Sequence, residues 1–146
     1  AAAAAVVAVV VGGWAAAAAD DWPQWRGPHR DGKSADQGLL KSWPPGGPPL
    51  VWKATGLGQG FSCVTVAGSA IYTTGLKNGR LVLDAVTLDG KPKWSQEVEE
   101  GFVKNTQGSR STPTFDNGKL YLETDLGKVG CYDAATGTER WTRSST

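Results

Sequence analysis

STPTFDNGKLYLET, residues 111–124, is matched 49 positions earlier in the chain by SCVTVAGSAIYTTG, residues 62–75. Each stretch consists of a β-prone run, a short turn and a second β-prone run. The turns are Ala-Gly-Ser at residues 67–69 and Asp-Asn-Gly at residues 116–118, and the second is a strong hairpin sequence. The repetition predicts two copies of one β unit.

Each unit continues into a second predicted hairpin that ends on a tryptophan. The first is RLVLDAVTLDGKPKW, residues 80–94, and the second ends in KVGCYDAATGTERW, residues 128–141. Trp52 occupies a similar place earlier, 42 residues before Trp94, which is itself 47 residues before Trp141. A period in the forties with four strands per unit is typical of β-propeller blades. We expect an all-β chain with two four-stranded antiparallel blades of a partial propeller, with inner strands near residues 63–66 and 112–115.

The recurring tryptophans have two interpretations. They could form a platform for a ligand, or they could fill the wedge between neighbouring blades. Each is expected to close the last strand of its unit, which favours packing between blades. We therefore assign Trp52, Trp94 and Trp141 a structural role.

The segment DAATGTERW, residues 133–141, resembles the blade repeat of the PQQ-like (pyrroloquinoline-quinone-type) β-propellers. LDGKPKW at residues 88–94 is a looser copy, and GSRSTPT at 108–114 and DDWPQWRGP at 20–28 are similar to segments of secreted members. The resemblance covers nearly everything after residue 19. It implies the fold and leaves the activity open, because this blade serves both quinone-dependent dehydrogenases and cofactor-free scaffolds.

The resemblance to the family's enzymes is incomplete. They commonly carry vicinal cysteines, whereas Cys63 and Cys131 are far apart, so these two are expected to be free thiols or, less favoured, a disulfide. Residues 104–110 and His29 are interpreted as solvated loop residues. We predict no catalytic residue, no cofactor and no metal, and we assign turn-forming roles to four acidic residues: Asp84, Asp89, Asp116 and Asp133.

The first 19 residues carry no charge. They are interpreted as a signal peptide, with an apolar region at 6–11 and a cleavage site at 17–19, or as a membrane-spanning helix, or as alanines standing for unidentified residues. As an anchor, the helix would use apolar and small residues for contact with lipid and with other helices. These residues are Val6, Val7, Val9, Val10, Val11, Gly12, Gly13 and Trp14.

Residues 20–49 are predicted to be a Trp/Pro-rich segment and connector that leads to blades at 50–146. Pro23 and Pro28 stiffen the segment, and Trp22 and Trp25 are expected to dock it onto the blades. Residues 50–53 look like a fourth strand without its first three. Two blades are fewer than the four to eight of a closed propeller, so we expect either part of a longer protein or a short relative that needs a partner.

The net charge of +1 and the pI near 8.0 give no support for nucleic-acid binding. The interpretation that accounts for most features is a non-enzymatic scaffold or accessory subunit of a membrane protein complex. Its partners would be other protein subunits, its helix would anchor it in the inner membrane, and its blades would lie on the periplasmic side of the cell envelope. If the leader is cleaved, the chain would be secreted. The alternatives are the N-terminal part of a PQQ-dependent oxidoreductase and a secreted carbohydrate- or peptide-binding propeller.

Overall fold

Two four-stranded antiparallel sheets form the computed structural model, which describes residues 20–102 and 108–145. In each sheet the strand order follows the chain, so every connection within a sheet is a hairpin. Blade 1 contains β1 (Thr65–Ala67), β2 (Ala70–Lys77), β3 (Arg80–Thr87) and β4 (Pro92–Glu100). Blade 2 contains β5 (Thr114–Asp116), β6 (Lys119–Glu123), β7 (Lys128–Asp133) and β8 (Glu139–Ser144).

Short turns with positive φ fix the register of the hairpins. Asn117 has φ of 46° and Gly118 of 73° between β5 and β6, and Asn78 and Gly79 have φ of 49° and 78° between β2 and β3. Paired positive φ values suit the right-handed twist of the flanking strands, and Asn-Gly adopts them at low cost. The partial-propeller prediction is confirmed at the level of two four-stranded antiparallel sheets.

The strand bounds differ from those expected. The inner strands begin at Thr65 and Thr114, two residues later than predicted, and the outer strands run past their tryptophans instead of ending on them. The glycine turn before each tryptophan is followed at once by strand pairing, so Trp94 lies near the start of β4, opposite Ala85. Residues 50–53 form no strand in the structure.

The core lies between the two sheets. Tyr72, Leu83 and Val98 from blade 1 belong to one apolar cluster with Leu120 and Tyr132 from blade 2. Trp94 and Phe115 pack against this cluster. A single core shared by both sheets means that each blade is stabilised by its neighbour.

Residues 20–102 and 108–145 contain no helix long and apolar enough to cross a membrane. The predicted N-terminal helix and its anchor residues, from Val6 to Trp14, lie outside the described residues. So do residues 103–107, which include the first four of the residues 104–110 interpreted from the sequence as a solvated loop.

Candidate protein-interaction surface

One row of side chains crosses all four strands of blade 1. The strand register aligns Thr65 with Tyr72, Tyr72 with Ala85, and Ala85 with Trp94. Directly paired residues in a sheet project from the same face, so these four side chains form one stripe. We call this stripe the blade-1 docking row.

The blade-1 docking row attaches to blade 2 through backbone carbonyl oxygens. The Tyr72 hydroxyl and the Trp94 indole Nε1 each donate to the carbonyl oxygen of Ala134, both at 3.2 Å. Thr65 Oγ1 donates to the carbonyl oxygen of Pro113. Every residue has a backbone carbonyl, so these hydrogen bonds depend on the course of the backbone in blade 2 and not on the identity of its side chains.

A tryptophan–glycine contact completes the attachment. Trp94 lies over Gly137, where an added Cβ would be 2.5 Å from Cε3 of the indole. Trp52 lies in the same way over Gly90, with the corresponding distance 2.6 Å. Both glycines have positive φ, 77° and 81°, and each forms the turn before the outer strand of its blade. The contact therefore repeats from one unit to the next.

Blade 2 carries the same row at equivalent register positions. Thr114 pairs with Tyr121, Tyr121 with Cys131, and Cys131 with Trp141. Because side chains alternate along a strand, this row lies on the face opposite the core-facing residue Leu120. We call it the blade-2 docking row.

The blade-2 docking row is packed within itself and open on its outer side. The rings of Tyr121 and Trp141 are 6.4 Å apart and tilted by 55°. The free thiol of Cys131 is fully buried, whereas Trp141 is 41% exposed. An exposed tryptophan beside a tyrosine is the kind of surface that protein partners bind.

The N-terminal segment, residues 20–32, lies along the inner edges of both blades, and we call it the clasp. The amide and carbonyl of Trp22 pair with those of Val66 in β1, at 2.7 and 2.9 Å. The carbonyl of Pro23 accepts from the amide of Phe115 in β5 at 2.7 Å, and Asp21 Oδ1 accepts from the Gly68 amide at 2.9 Å. The clasp thus bonds to strand edges that would otherwise be open.

The clasp is held in shape by its own contacts. Arg26 and Arg30 both have positive φ, 62° and 56°, which costs backbone energy for residues with a Cβ. Arg30 Nε donates to Gln24 Oε1 at 2.8 Å, and the Arg26 guanidinium lies 5.4 Å from the centre of the Trp25 ring. Trp22 packs over Gly27, whereas Trp25 is 55% exposed. Of the two tryptophans expected to dock, Trp22 contacts the blades and Trp25 faces solvent.

The acidic residues considered in the sequence have different surroundings. Asp133 bonds to Arg140 at 2.6 Å and to the hydroxyl and amide of Thr136, and these bonds lower the pKa of its carboxyl to about 2. Asp89 pairs with Lys91 and Thr87, which also lowers its pKa. Asp84, in contrast, is buried in the middle of β3 and ion-paired to Lys77. Asp133 and Asp89 therefore serve their own turns, and Asp84 does not lie in one.

The structure also contains a hydroxyl seam that sequence reasoning missed. Thr74 Oγ1 bonds to the buried Ser109 Oγ at 2.5 Å and donates to the carbonyl of Ser111 at 2.7 Å. Thr112 Oγ1 accepts from the amide of Cys63, whose thiol is free and exposed. In the sequence, the signal for these hydrogen bonds is the set of serine and threonine residues near the start of both inner strands. Residues 20–102 and 108–145 contain no cluster of three or more His, Cys, Asp or Glu side chains arranged for a metal ion.

Residues 16–146 match the family model described as outer membrane protein assembly factor BamB. The chain belongs to this PQQ-like β-propeller family. Among solved structures, BamB from Moraxella catarrhalis superposes with a TM-score of 0.52 at 17% identity. The superposition covers 65% of this BamB-family chain and 27% of the Moraxella protein.

A europium-containing methanol dehydrogenase superposes with a TM-score of 0.43 at 21% identity, covering 57% of this chain and 15% of the dehydrogenase. No curated protein sequence matches the chain significantly. The chain spans about a quarter of the length of the Moraxella BamB that it resembles. The likeness to the Moraxella BamB is one of fold, and the PQQ-like resemblance noted from residues 133–141 is confirmed.

Proposed function

We propose that this BamB-family chain is a non-enzymatic scaffold that binds other proteins through its blade faces. The observation that carries the proposal is the exact register match between the two docking rows. The blade-1 row already forms a contact between two sheets of this chain, since it attaches one sheet to the next through two carbonyls and a glycine turn. The blade-2 row has the same composition at its polar and aromatic ends, so it is suited to the same kind of contact.

The chemistry of the expected partner follows from the blade-1 contact. Tyr121 and Trp141 offer a hydroxyl and an indole N–H, and their counterparts Tyr72 and Trp94 donate to a shared carbonyl. The indole ring needs a flat site without a Cβ, as Gly137 provides for Trp94. The partner surface is therefore a β turn with an accessible carbonyl and a glycine.

We further propose that the scaffold acts in the cell envelope as an accessory subunit of a membrane protein complex, on the periplasmic side. Support comes from the family description, which refers to outer membrane protein assembly, and from the uncharged 19-residue segment that precedes the clasp. In this arrangement residues 1–19 direct the chain to the envelope or anchor it there, and the blades bind the partner.

Site-specific photo-crosslinking in intact cells tests the proposal. A photoreactive amino acid replaces Trp141 in one variant and the exposed connector residue Trp43 in the control variant. We expect an adduct with an envelope protein from position 141 only, and we expect Tyr121→Ala to weaken co-purification of that protein. Equal adducts from both positions, or a chain that elutes alone after mild detergent extraction, would contradict the scaffold function.

A further inference from the structure

Trp52 takes the place on blade 1 that a neighbouring blade takes on blade 2. It lies over Gly90 in the same close contact that Trp94 makes with Gly137. Trp94 belongs to a four-stranded sheet, whereas Trp52 belongs to a segment that forms no strand. We call this segment, residues 50–57, the cap. The cap therefore covers a surface of blade 1 whose counterpart on blade 2 receives a whole sheet.

The cap covers an apolar face of blade 1. Val82 and Val86 are buried, yet neither belongs to the core cluster that the two blades share. They alternate along β3 with the core residue Leu83, so they project from the face opposite blade 2. Val86 lines a space beneath the cap together with Ala54 and Leu57. This face therefore depends on the cap for its cover.

The cap is held loosely. Within the described part of the chain, no backbone hydrogen bond joins residues 50–57 to blade 1, and the Trp52 indole donates none. A cavity of about 220 Å³ remains beneath the cap, which forgoes dispersion contacts, and Trp52 is 40% exposed. Firm attachment begins only at Gln59, whose amide and carbonyl bond to the backbone of Leu76 at 3.0 and 2.7 Å. The cap can therefore leave the blade without breaking a backbone hydrogen bond.

The turn beneath Trp52 keeps an unused acceptor. This turn, residues 87–91, is one residue shorter than its counterpart at 133–138, and each is closed by a backbone hydrogen bond of 2.8 Å between its first and last residues. The second residue of the turn is Leu88 in blade 1 and Ala134 in blade 2. The carbonyl of Ala134 accepts from both donors of the blade-1 docking row. Leu88 is half exposed, and its carbonyl accepts from no donor among the described residues.

The blade-2 docking row has the donors and the shape that this turn lacks. The rings of Tyr121 and Trp141 are 6.4 Å apart and tilted by 55°, close to the 5.9 Å and 38° of Tyr72 and Trp94. The open row thus already has nearly the arrangement of the docked one, which lowers the cost of binding. Every copy of the chain carries both the row and the turn. A second copy is therefore the partner whose chemistry fits the turn.

We infer that the cap and a second copy of this chain compete for the face of blade 1 around Gly90. With the cap in place, the turn is closed. When the cap leaves, Trp141 of the second copy lies over Gly90, and its indole and the Tyr121 hydroxyl donate to the Leu88 carbonyl. The inference rests on the proposed function, because it uses the blade-2 docking row as the binding surface. It adds that the cap is autoinhibitory and keeps the chain mainly monomeric.

Sedimentation velocity of the purified full chain, with every variant in the same mild detergent, tests the inference. Trp52→Ala should strengthen self-association at least about tenfold, because the open turn is then no longer a minor state. Trp43→Ala removes an exposed tryptophan of the connector and should sediment as the parent chain does. The double variant Trp52→Ala/Trp141→Ala should also return to the behaviour of the parent chain, because the docking row has lost its ring.

A synthetic peptide of residues 48–57 separates docking from a folding defect. At about 1–5 mM, comparable to the effective concentration of a tethered segment, it should occupy the open turn and disperse the Trp52→Ala oligomer. The same peptide carrying the Trp52→Ala substitution should not. Association caused by partial unfolding would resist both the peptide and the Trp141 substitution, and this result would overturn the inference.

The inference is overturned equally if Trp52→Ala sediments as the parent chain does, or if Trp43→Ala associates to the same degree. Its failure is distinguishable from a failure of the scaffold function, because the purified chain is measured alone. An envelope adduct from position 141 without self-association of Trp52→Ala would refute the competition and leave the scaffold function in place.

Discussion

The indole of Trp94 lies so close to Gly137 that a Cβ on this glycine would be 2.5 Å from the ring. Trp52 and Gly90 repeat the relationship one unit earlier, at 2.6 Å. The glycine has two functions in each case, since it provides a backbone conformation with positive φ and a surface without a side chain. These two functions can be separated by substitution.

Gly137→Ala should destabilise the chain more than Gly118→Ala. Both glycines have positive φ, 77° and 73°, but a Cβ at Gly118 meets nothing within 4 Å. We expect about 1 kcal/mol from backbone strain alone at Gly118, and about 2–3 kcal/mol at Gly137, where the Trp94 ring must also move. Urea unfolding of the two variants measures the difference. Equal losses would show that the indole adapts freely and that its packing on Gly137 contributes little.

Trp94→Ala should cost about 3 kcal/mol of unfolding free energy, because it removes a ring packed on the core and a hydrogen bond to Ala134. Trp141→Ala should cost about half as much or less, since Trp141 is 41% exposed. The two tryptophans occupy equivalent positions in the repeat, but Trp94 is packed against the core whereas Trp141 is partly exposed. Thermal or urea unfolding of the isolated chain provides the comparison, and a larger loss for Trp141 would mean that its row is already covered in solution.

Asp21→Ala should loosen the clasp at one measurable point. Asp21 Oδ1 accepts from the Gly68 amide at 2.9 Å, beside the paired backbone of Trp22 and Val66. Hydrogen exchange of the Gly68 and Val66 amides should become about three- to tenfold faster, the effect of losing one ordinary hydrogen bond. Exchange of the Leu120 amide, in the core of blade 2, is the internal reference. Asp20→Ala is the control, and a similar acceleration there would assign the effect to charge.

The Asp133 carboxyl gives a pH-dependent prediction. Its pKa in the folded chain is about 2, below the ordinary value near 4, because it accepts bonds from Arg140 and Thr136. The folded state therefore binds fewer protons than the unfolded state, so the stabilisation is complete above about pH 4 and is lost as the pH falls through about 2. Arg140→Met should move the pKa of Asp133 upward, measured by carbon NMR of the carboxyl group. Arg143→Met, on the same strand, should leave it in place.

The repeat and its hairpins could be predicted from the sequence, because the residues that form a turn are neighbours in the chain. Asp-Asn-Gly at residues 116–118 and the glycine turns before Trp94 and Trp141 determine where the chain reverses, whatever surrounds them. The sequence predicts that Trp22 docks the clasp, but it does not indicate which strand the clasp pairs with. Pairing of Trp22 with Val66 joins residues 44 positions apart, and no local pattern encodes such an edge contact.

The buried Asp84 shows the limit of the same approach. In sequence it resembles the other aspartates, since it lies a few residues before a glycine turn, and this pattern predicts a turn-forming role. The structure places it inside β3, opposite Thr73 and Ser95, because the turn comes later than residue 84. The burial of Asp84 depends on residues 54–57, which lie beside it only once the chain has folded, so no local sequence pattern indicates it.

The docking row and the surface that receives it are different patches of the same unit. On blade 2 the donors Tyr121 and Trp141 lie on one face, whereas Ala134 and Gly137 receive blade 1 on the other. A two-fold symmetric pair requires one patch to be complementary to itself, and two blade-2 docking rows would bring indole against indole with no turn between them. A contact of this type therefore joins two different patches, one from each partner, and is directional. Any assembly built through such contacts has a direction and an order, and a two-fold dimer at this surface would not reproduce the contact that Trp94 makes with Gly137.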